Sequence, residues 1–275
     1  MTSLNDLKKL SDTFETHEGK MPVLFVGHGN PMNAIEDNNF TKSWQALGKE
    51  LPKPTAILCV SAHWETRGTF VTAMEKPKTI HDFGGFPQEL FDVQYPAPGK
   101  PELAKQVKEE IKKTDVGLDE DWGLDHGTWS VIKKMYPDAN IPVLQLSLDY
   151  TKPAQWHYDL AKELAELRKK GVLIVGSGNM VHNLGMVNWR DLNSGGYDWA
   201  IEINEKFKKL IAENNHKDLI NYSSLGAAGK LAIPSPEHYL PLLYTLALKG
   251  EKEEATFFND KTLAGSLSMT SVKIM

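Results

Sequence analysis

The sequence predicts a single α/β domain with a mostly parallel central sheet flanked by helices. Three short apolar, partly β-branched runs indicate buried strands, at residues 23–26, 55–61 and 171–175. Helical spacing of apolar residues occurs in several other segments, two of which open with Pro101 and Pro153. Strands that alternate with helices along a chain favour parallel pairing through right-handed crossovers.

The N-terminal segment carries a separate pattern. Apolar side chains recur there at roughly helical spacing: Leu4, Leu7, Leu10 and Phe14. This pattern predicts a short amphipathic helix over residues 1–20, an extension that packs on the main domain or on a partner subunit. The main domain is expected to cover residues 21–275, because no linker or low-complexity segment interrupts the rest of the chain.

Further elements follow the first strand in chain order. Phe40, Trp44 and Leu47 predict a helix that ends near Gly48. The other expected elements are a more exposed strand at 69–74, a strand at 141–148, a helix at 197–212 and late strands at 255–258 and 267–275.

Two helix starts are predicted from capping residues. Thr128 is expected to cap a helix that buries Trp129. Ser235 is expected to be the N-cap of a second helix, with Pro236 at its first position and His238 in its first turn. His238 would then lie beside the free backbone N–H groups of that turn.

Composition and charge narrow the classes of protein to which the chain can belong. The formal net charge is −5 and the pI is near 6.0, which gives no electrostatic basis for binding nucleic acid or an anionic membrane. The one cysteine, Cys59, excludes an intrachain disulfide and a thiolate-only metal site. No apolar stretch is long enough to span a bilayer and the N-terminus does not look like a signal peptide, so a cytoplasmic location is expected.

Histidines follow all three predicted strands near their carboxyl ends. His28 and His63 follow the first two strands within one or two residues, whereas His182 follows the third after a flexible turn expected at residues 176–179. One such histidine alone would usually do no more than hydrogen-bond a turn. Three of them converge on one rim of the sheet if the strands are parallel neighbours. Imidazole is the commonest metal ligand in proteins, so the pattern predicts a metal site at this rim.

The long irregular stretch over residues 80–99 mixes glycines and prolines with aromatic residues. Loops of this length in a compact domain are usually functional or disordered, and the aromatic side chains argue against disorder. Four of these side chains could line an apolar pocket: Phe83, Phe86, Phe91 and Tyr95. They could equally pin the loop by packing on one another.

Two familiar motifs are excluded. Residues 176–179 read Gly-Ser-Gly-Asn, but they lack the lysine of a P-loop and the third glycine of a dinucleotide fingerprint. Ser177 does not lie in the Gly-x-Ser-x-Gly pattern of a nucleophile elbow.

Five blocks that contain histidines carry the most specific signal, whereas His17, His157 and His216 fall on polar helical or terminal stretches and are expected to be solvated. The blocks are residues 27–31, 61–64, 125–127, 178–183 and 236–238. In this order they resemble the class III extradiol ring-cleaving dioxygenases, and most closely the DOPA 4,5-dioxygenase type, which is related to the β-subunit of protocatechuate 4,5-dioxygenase. The resemblance spans residues 21–275, which are therefore expected to form one catalytic domain.

The resemblance implies one divalent metal ion per chain, at the carboxyl ends of the strands. Members of the family use Fe(II) for ring cleavage, and some bacterial members are found with Zn(II). The resemblance also implies that His28 and His63 are metal ligands and that His238 completes the set. His182 would be the acid–base histidine or a fourth ligand. His126 would contact the substrate and stabilise developing oxyanion charge.

The implied ligand set departs from the two histidines and one carboxylate of many non-haem iron oxygenases. Here the third position matches His238, and the neighbouring Glu237 is the carboxylate alternative. A set of three histidines is neutral and suits zinc as well as iron. Three aromatic residues are candidates for stacking on the substrate ring: Trp64, Phe83 and Trp129.

The expected function is extradiol cleavage of a catechol-type ring, in a DOPA-like substrate, with O2 to a muconic semialdehyde. The alternative for the same histidines is a zinc-dependent hydrolase that uses metal-bound water, or a non-catalytic zinc-binding protein. The expected partners are a small aromatic substrate and O2, with no nucleic acid and no membrane. The chain is expected to be a monomer or a small homo-oligomer.

Overall fold

The computed structural model describes residues 19–275 of the chain. The helix predicted over residues 1–20 therefore lies outside the described residues, apart from its last two positions. The described residues form an α/β domain around an eight-stranded sheet, which confirms the predicted fold class. No helix within residues 19–275 is long and apolar enough to cross a bilayer.

The strands lie close to the positions expected from the apolar runs. Those of the main sheet are β1 (Val23–Gly27), β2 (Ala56–Thr66), β3 (Thr69–Thr72), β4 (Val116–Asp119), β5 (Val143–Asp149), β6 (Val172–Gly178), β7 (Ala255–Phe258) and β10 (Ser271–Ile274). A separate two-stranded sheet is formed by β8 (Thr262–Leu263) and β9 (Leu267–Ser268). Strand β4 was not predicted, because it is short and begins with Val-Gly rather than with an apolar run.

Helices cover both faces of the sheet. They are α1 (Asn39–Glu50), α2 (Gln88–Phe91), α3 (Pro101–Glu110), α4 (His126–Met135), α5 (Ala154–Lys162), α6 (Ala165–Lys169), α7 (Asp198–Ala212), α8 (His216–Ile220), α9 (Gly226–Ala232) and α10 (Leu240–Ala247).

The sheet order places the three predicted strands side by side. The order is β4-β3-β5-β2-β6-β1-β10-β7, with β6 paired in parallel to both β2 and β1. Strand β5 also pairs in parallel with β2, whereas β10 and β7 extend the sheet in antiparallel pairing. The carboxyl ends of β1, β2 and β6 therefore meet at one rim, as the sequence predicted.

Both faces of the sheet are buried, so most positions of the central strands are apolar, and the buried polar residues Gln145, Ser147 and Asp149 of β5 are hydrogen-bonded. Val23 and Phe25 of β1 belong to one hydrophobic cluster, while Leu24 and Val26 belong to the cluster on the other face. Each residue of β1, β5 and β6 is buried. This two-sided burial is why β1 and the first part of β6 appear in the sequence as continuous apolar runs, whereas β5 alternates although it is equally buried.

Strand β6 is longer than predicted, because residues 176–178 continue it instead of forming a turn. A Cβ on Gly178 would lie 2.1 Å from the carbonyl oxygen of His238, and one on Gly176 would lie 2.3 Å from that of Pro241. These glycines therefore let the segment around His238 pack directly on the strand.

Strand β2 also continues beyond its expected end. It runs through Thr66, so His63 lies inside the strand rather than after it. The pairing of β2 with β5 shifts register between Val60 and Glu65, as at a β-bulge. A bulge re-aims the side chains next to it, and here it falls beside His63.

Both predicted helix starts differ from the structure. Helix α4 begins at His126, and its N-cap is Asp125, whose buried carboxylate accepts a hydrogen bond from the backbone N–H of Thr128. The second helix, α10, begins at Leu240, so His238 lies in the turn that precedes it. Ser235 does not cap this helix, because its hydroxyl donates to Glu237 Oε1.

Candidate metal centre

Three histidines meet at the rim formed by β1, β6 and β2. His28 directly follows β1, and its backbone N–H donates to the carbonyl oxygen of Gly178 at the end of β6. His63 lies on β2, and His238 packs against β6 from the turn before α10. Two of the three histidines are therefore positioned by the parallel strands β1 and β2 that flank β6. The third, His238, is positioned by the close packing of its backbone on Gly178.

The three imidazoles face one another. The Nε2 atoms of His28 and His63 are 3.1 Å apart. The ring of His238 lies 5.4 Å from that of His28 and 5.0 Å from that of His63, measured between centroids. One ligand atom from each of the three lies within 4.8 Å of the others. Two nitrogens bound at about 2.1 Å to one ion would be roughly 3–3.5 Å apart, so the His28–His63 separation fits a shared metal.

Ser177 determines which nitrogen of His28 carries the proton. Its hydroxyl lies 3.0 Å from His28 Nδ1 and donates its own hydrogen to the carbonyl oxygen of Gly127, 2.5 Å away. The hydroxyl has one hydrogen, so towards His28 it can only accept. His28 is therefore protonated at Nδ1, and the lone pair on Nε2 faces His63.

Carboxylates occupy the Nδ1 side of the other two rings. His63 Nδ1 lies 3.3 Å from Asp82 Oδ2, and His238 Nδ1 lies 3.1 Å from Glu237 Oε1. A histidine that contacts a carboxylate through one nitrogen presents the other to a metal in its unprotonated form. All three rings thus have the same arrangement, with Nδ1 engaged by the protein and Nε2 free to bind a metal.

His182 belongs to the same cluster but takes a different position. Its ring stacks on that of His238, with centroids 3.5 Å apart and planes inclined by 9°. Its backbone N–H donates to the carbonyl oxygen of Ala232, and it forms a β-bridge with Leu267. The sequence predicts a flexible turn before His182, but His182 lies four residues beyond the longer β6 and its backbone pairs with Ala232 and Leu267.

His126 lies on the other side of His63. It is the first residue of α4, and its ring centroid is 3.9 Å from that of His63. Its Nδ1 donates to Asp82 Oδ2 at 2.9 Å, and its backbone N–H donates to Asp82 Oδ1, also at 2.9 Å. Burial raises the pKa of Asp82, but the hydrogen bonds and charge of His126 outweigh it and leave this pKa below its ordinary value.

Burial keeps four of the site histidines neutral: His28, His63, His182 and His238. It lowers the pKa of His63 to about 3 and that of His182 to about 4. The pKa values of His28 and His238 are also well below the ordinary value, first because of burial and then because neighbouring imidazoles repel a second positive charge. Neutral imidazole is the form that binds a metal or accepts a proton.

The three aromatic candidates have different surroundings. Phe83 packs edge-on against His126, with centroids 5.5 Å apart. Trp129 is fully buried behind Phe83 and donates its indole N–H to the carbonyl oxygen of Ile80. Trp64 is also buried, and it stacks on Trp122. The structure therefore brings only Phe83 of this set into ring contact with a site histidine.

Aromatic side chains of the long loop over residues 80–99 pack on one another, and one of them also contacts the site. Phe83 packs on Phe86 and Phe91, so the loop has its own aromatic cluster. The same Phe83 contacts the site at His126. His81 contributes to the anchoring, since its Nε2 lies 3.0 Å from the carbonyl oxygen of Val93.

Two residues of the site were missed by sequence reasoning. Asp82 lies in the loop, where nothing in the pattern distinguishes it from the other acidic residues of the chain. Ser177 was considered only as a nucleophile, and its contact with His28 depends on the pairing of β6 with β1. A carboxyl or hydroxyl group that orients a ligand is recognised by its contacts, and these join residues far apart in the sequence.

Comparisons with known proteins agree with this geometry. A 4,5-DOPA dioxygenase extradiol of Escherichia coli (strain K12) is 52% identical over 259 residues, which cover 93% of this chain and 95% of that protein. Proteins of the same name from Portulaca grandiflora and Beta vulgaris are 38% and 35% identical and cover 90% and 91% of this chain and 94% and 95% of their own lengths. The crystal structure of an uncharacterized protein from Escherichia coli K12 aligns with a TM-score of 0.82 at 48% identity, covering 93% of this chain and all of that one.

A family match covers most of the chain. Residues 17–268 match the LigB family, described as the catalytic LigB subunit of aromatic ring-opening dioxygenase. This match and the identities to the relatives agree with the resemblance seen in the five histidine blocks. The chain therefore belongs to the LigB family and is a class III extradiol ring-cleaving dioxygenase of the 4,5-DOPA dioxygenase type.

Proposed function

We propose that the chain holds one divalent metal ion through His28, His63 and His238 and opens the ring of a catechol-type, DOPA-like substrate with O2. The observation that carries this proposal is the set of three imidazoles whose ligand atoms lie within 4.8 Å of one another, with Nδ1 of each ring facing a protein oxygen. The names of the relatives support the substrate class, and a muconic semialdehyde is the expected product.

The donor set fits a divalent ion. Three neutral imidazoles suit iron and zinc, and three protein ligands leave coordination positions for small molecules. When bound, the ion would supply Lewis-acid polarisation of the substrate oxygens and, as Fe(II), electrons for the reaction with O2. We propose Fe(II) for ring cleavage, with Zn(II) as the other ion that the same ligands would hold.

His182 is proposed to be the acid–base group. Its stacked position beside His238 and its low pKa, near 4, support a neutral imidazole that takes a phenolic proton from the substrate and later returns one. Its ligand atom groups with those of Glu237 and His238 rather than with those of His28 and His63, which favours this role over that of a fourth ligand. Glu237, which contacts Nδ1 of His238, acts in this proposal through His238 rather than as a ligand itself.

His126 and Phe83 are proposed to contact the substrate. His126 donates its Nδ1–H to Asp82, and its Nε2, when it also carries a hydrogen, would donate to oxyanion charge that develops during the reaction. Phe83 is half-buried against His126 and offers an apolar edge to an aromatic ring. Trp64 and Trp129 are buried, so they are not proposed to contact the substrate.

Anaerobic reconstitution tests the proposed function. Metal-free protein would be loaded separately with Fe(II) and Zn(II), mixed with DOPA, and then exposed to O2. We expect the Fe(II) form to consume one O2 per substrate and to give the absorbance of a ring-opened product, and the Zn(II) form to do neither. Absence of O2 uptake by the Fe(II) form with any catechol, together with ester or amide hydrolysis by the Zn(II) form, would instead support the hydrolase alternative.

The cytoplasmic location and the monomeric or small homo-oligomeric state remain predictions from the sequence.

A further inference from the structure

One carboxylate joins two histidines of the centre. Asp82 Oδ2 lies 2.9 Å from Nδ1 of His126 and 3.3 Å from Nδ1 of His63. Asp82 Oδ1 accepts the backbone N–H of His126 at 2.9 Å. The side chain is 18% exposed, so these contacts are partly shielded from water.

The neighbours of Asp82 hold it in place. Trp129 donates its indole N–H to the carbonyl oxygen of Ile80, at 2.8 Å. His81 contacts the carbonyl oxygen of Val93 through Nε2, and Phe83 packs on Trp129 and His126. The residues on both sides of Asp82 are therefore anchored, which gives its carboxylate a defined direction.

The contacts have a consequence for the proton positions on the two rings. An ionised carboxylate accepts hydrogen bonds and donates none. Both Nδ1 atoms that face it are therefore protonated, and in the neutral ring of His63 the lone pair lies on Nε2. For His63 this directs the lone pair towards Nε2 of His28, 3.1 Å away, where the proposed metal would lie.

We propose that Asp82 is a positioning residue that fixes the proton of His63 on Nδ1 and sets the orientation of His126. The inference rests on the proposed function for the role of the metal, but the proton positions it assigns are a property of the metal-free protein as well. Asp82 thereby links the metal-binding ring to the substrate-binding ring through a single oxygen. Carboxylates that orient a ligand in this way commonly change metal affinity by about 10–100-fold.

A competing possibility is that Asp82 is itself a ligand. The ligand atoms of His63, Asp82 and His126 lie within 4.8 Å of one another, so these residues could hold a second ion. The two roles exclude each other for His63, because a protonated Nδ1 cannot bind a metal. The number of ions bound per chain therefore distinguishes them.

Two substitutions separate positioning from simple packing. The side chain of Asp82→Asn has one accepting oxygen and one NH2 group, which only donates. In either orientation of the amide, the NH2 group therefore faces an N–H of His126 that donates to Asp82 in the wild type. When the NH2 group takes the place of Oδ2, this opposition is relieved if the facing imidazoles move their protons from Nδ1 to Nε2. For His63 that move removes the lone pair that would bind the metal. Asp82→Ala places no donor opposite these N–H groups and leaves space for a water molecule that can accept their hydrogen bonds. Asp92→Asn, an exposed position in the same loop, is the matched control.

The test uses histidine-labelled protein and zinc. Nitrogen NMR of the metal-free chain reports the tautomer of His63, and competition with a chromophoric chelator gives zinc affinity and stoichiometry. We expect Nδ1–H for His63 in the wild type and a shift to Nε2–H in Asp82→Asn. We expect zinc affinity to fall about 10–100-fold in Asp82→Asn and less in Asp82→Ala, with no change in Asp92→Asn.

Three results would overturn the proposal. They are an Nε2–H tautomer of His63 in the wild type, a weaker effect of Asp82→Asn than of Asp82→Ala, and a fall from two bound zinc ions to one in either variant. If Asp82→Asn does not fold, the wild-type tautomer and Asp82→Ala still decide the question. If the Fe(II) enzyme fails to cleave catechols while the tautomer result holds, the proposed function is wrong and the role of Asp82 in metal binding stands.

Discussion

The imidazole rings of His182 and His238 lie parallel, with centroids 3.5 Å apart and planes inclined by 9°. The ring-nitrogen lone pairs therefore lie in two nearly parallel planes and do not converge on one point. The ligand atoms of His28, His63 and His238 do form one mutually close group, whereas His182 groups with Glu237 and His238. The stack therefore supports an acid–base role for His182 and a ligand role for His238.

Removal of His182 should affect chemistry more than metal binding. We expect His182→Ala to keep most of its metal and to bind a catechol, while ring cleavage falls by roughly 10²–10⁴-fold, the usual effect of losing a positioned acid–base group. Product absorbance and metal analysis of the same samples measure the two effects. Loss of metal as complete as in His28→Ala would instead make His182 a ligand.

Removal of either His28 or His63 should abolish stoichiometric metal binding. Each supplies one of the three proposed ligands, and two imidazoles alone hold a divalent ion weakly. Metal content after gel filtration in a chelator-free buffer measures the effect on His28→Ala and His63→Ala. His216→Ala, whose ring contacts Tyr158 away from the centre, is the control. Full metal retention in either of the first two variants would remove that residue from the ligand set.

Gly178 should tolerate no side chain. A Cβ at this position would lie 2.1 Å from the carbonyl oxygen of His238. Because that oxygen is a backbone atom, it cannot move aside as the end of a flexible side chain could. We expect Gly178→Ala to lower the free energy of unfolding by about 1–3 kcal/mol and to weaken zinc binding by displacing His238. Gly195→Ala is the control, because a Cβ there would have no heavy atom within 4 Å. Wild-type zinc affinity in Gly178→Ala would show that His238 does not depend on this contact.

His157 should make the stability of the metal-free protein depend on pH. It is fully buried, contrary to the sequence expectation, with Nδ1 on Tyr244 Oη and Nε2 on the carbonyl oxygen of Asp149. Burial lowers its pKa from 6.5 to about 4. Since the unfolded chain binds this proton more readily, the contribution of His157 is complete above pH 6.5 and is lost as the pH falls towards 4.

Urea unfolding of chelator-treated protein at several pH values measures this contribution. His157→Gln should have a shallower loss of stability between pH 6.5 and pH 4 than the wild type. The difference should be at most about 3 kcal/mol, because each tenfold change in proton affinity corresponds to about 1.36 kcal/mol. Identical slopes for the two proteins would show that His157 is not the group responsible.

Local pattern in the sequence was sufficient for the fold class and for part of the site. Apolar runs located β1, β2 and β6, because strands buried on both faces are usually rich in apolar side chains. His28 and His63 were found because each lies at or near the end of such a run. Helix α7 and the late strands were also located from the spacing of apolar residues.

The same local reasoning failed where a residue's neighbours come from distant parts of the chain. Residues 176–178 were interpreted as a turn because glycine commonly breaks strands, but here the missing Cβ atoms admit the backbone of His238 and Pro241. His157 lies on a helix with many polar residues and is nevertheless buried against Tyr244, which is 87 positions away.

The sequence by itself determined the candidate residues: His28, His63 and His182 follow apolar runs, and the resemblance in the histidine blocks added His126 and His238. Only the tertiary structure decided which of these residues are suited to bind the metal and which to act as acid–base or orienting groups. Ser177, Asp82 and Glu237 set the proton positions of the rings that they contact, and the stacking of His182 separates it from the ligands. Proton position and ring orientation depend on hydrogen bonds of about 3 Å between segments brought together by folding, and a linear pattern contains no such distances.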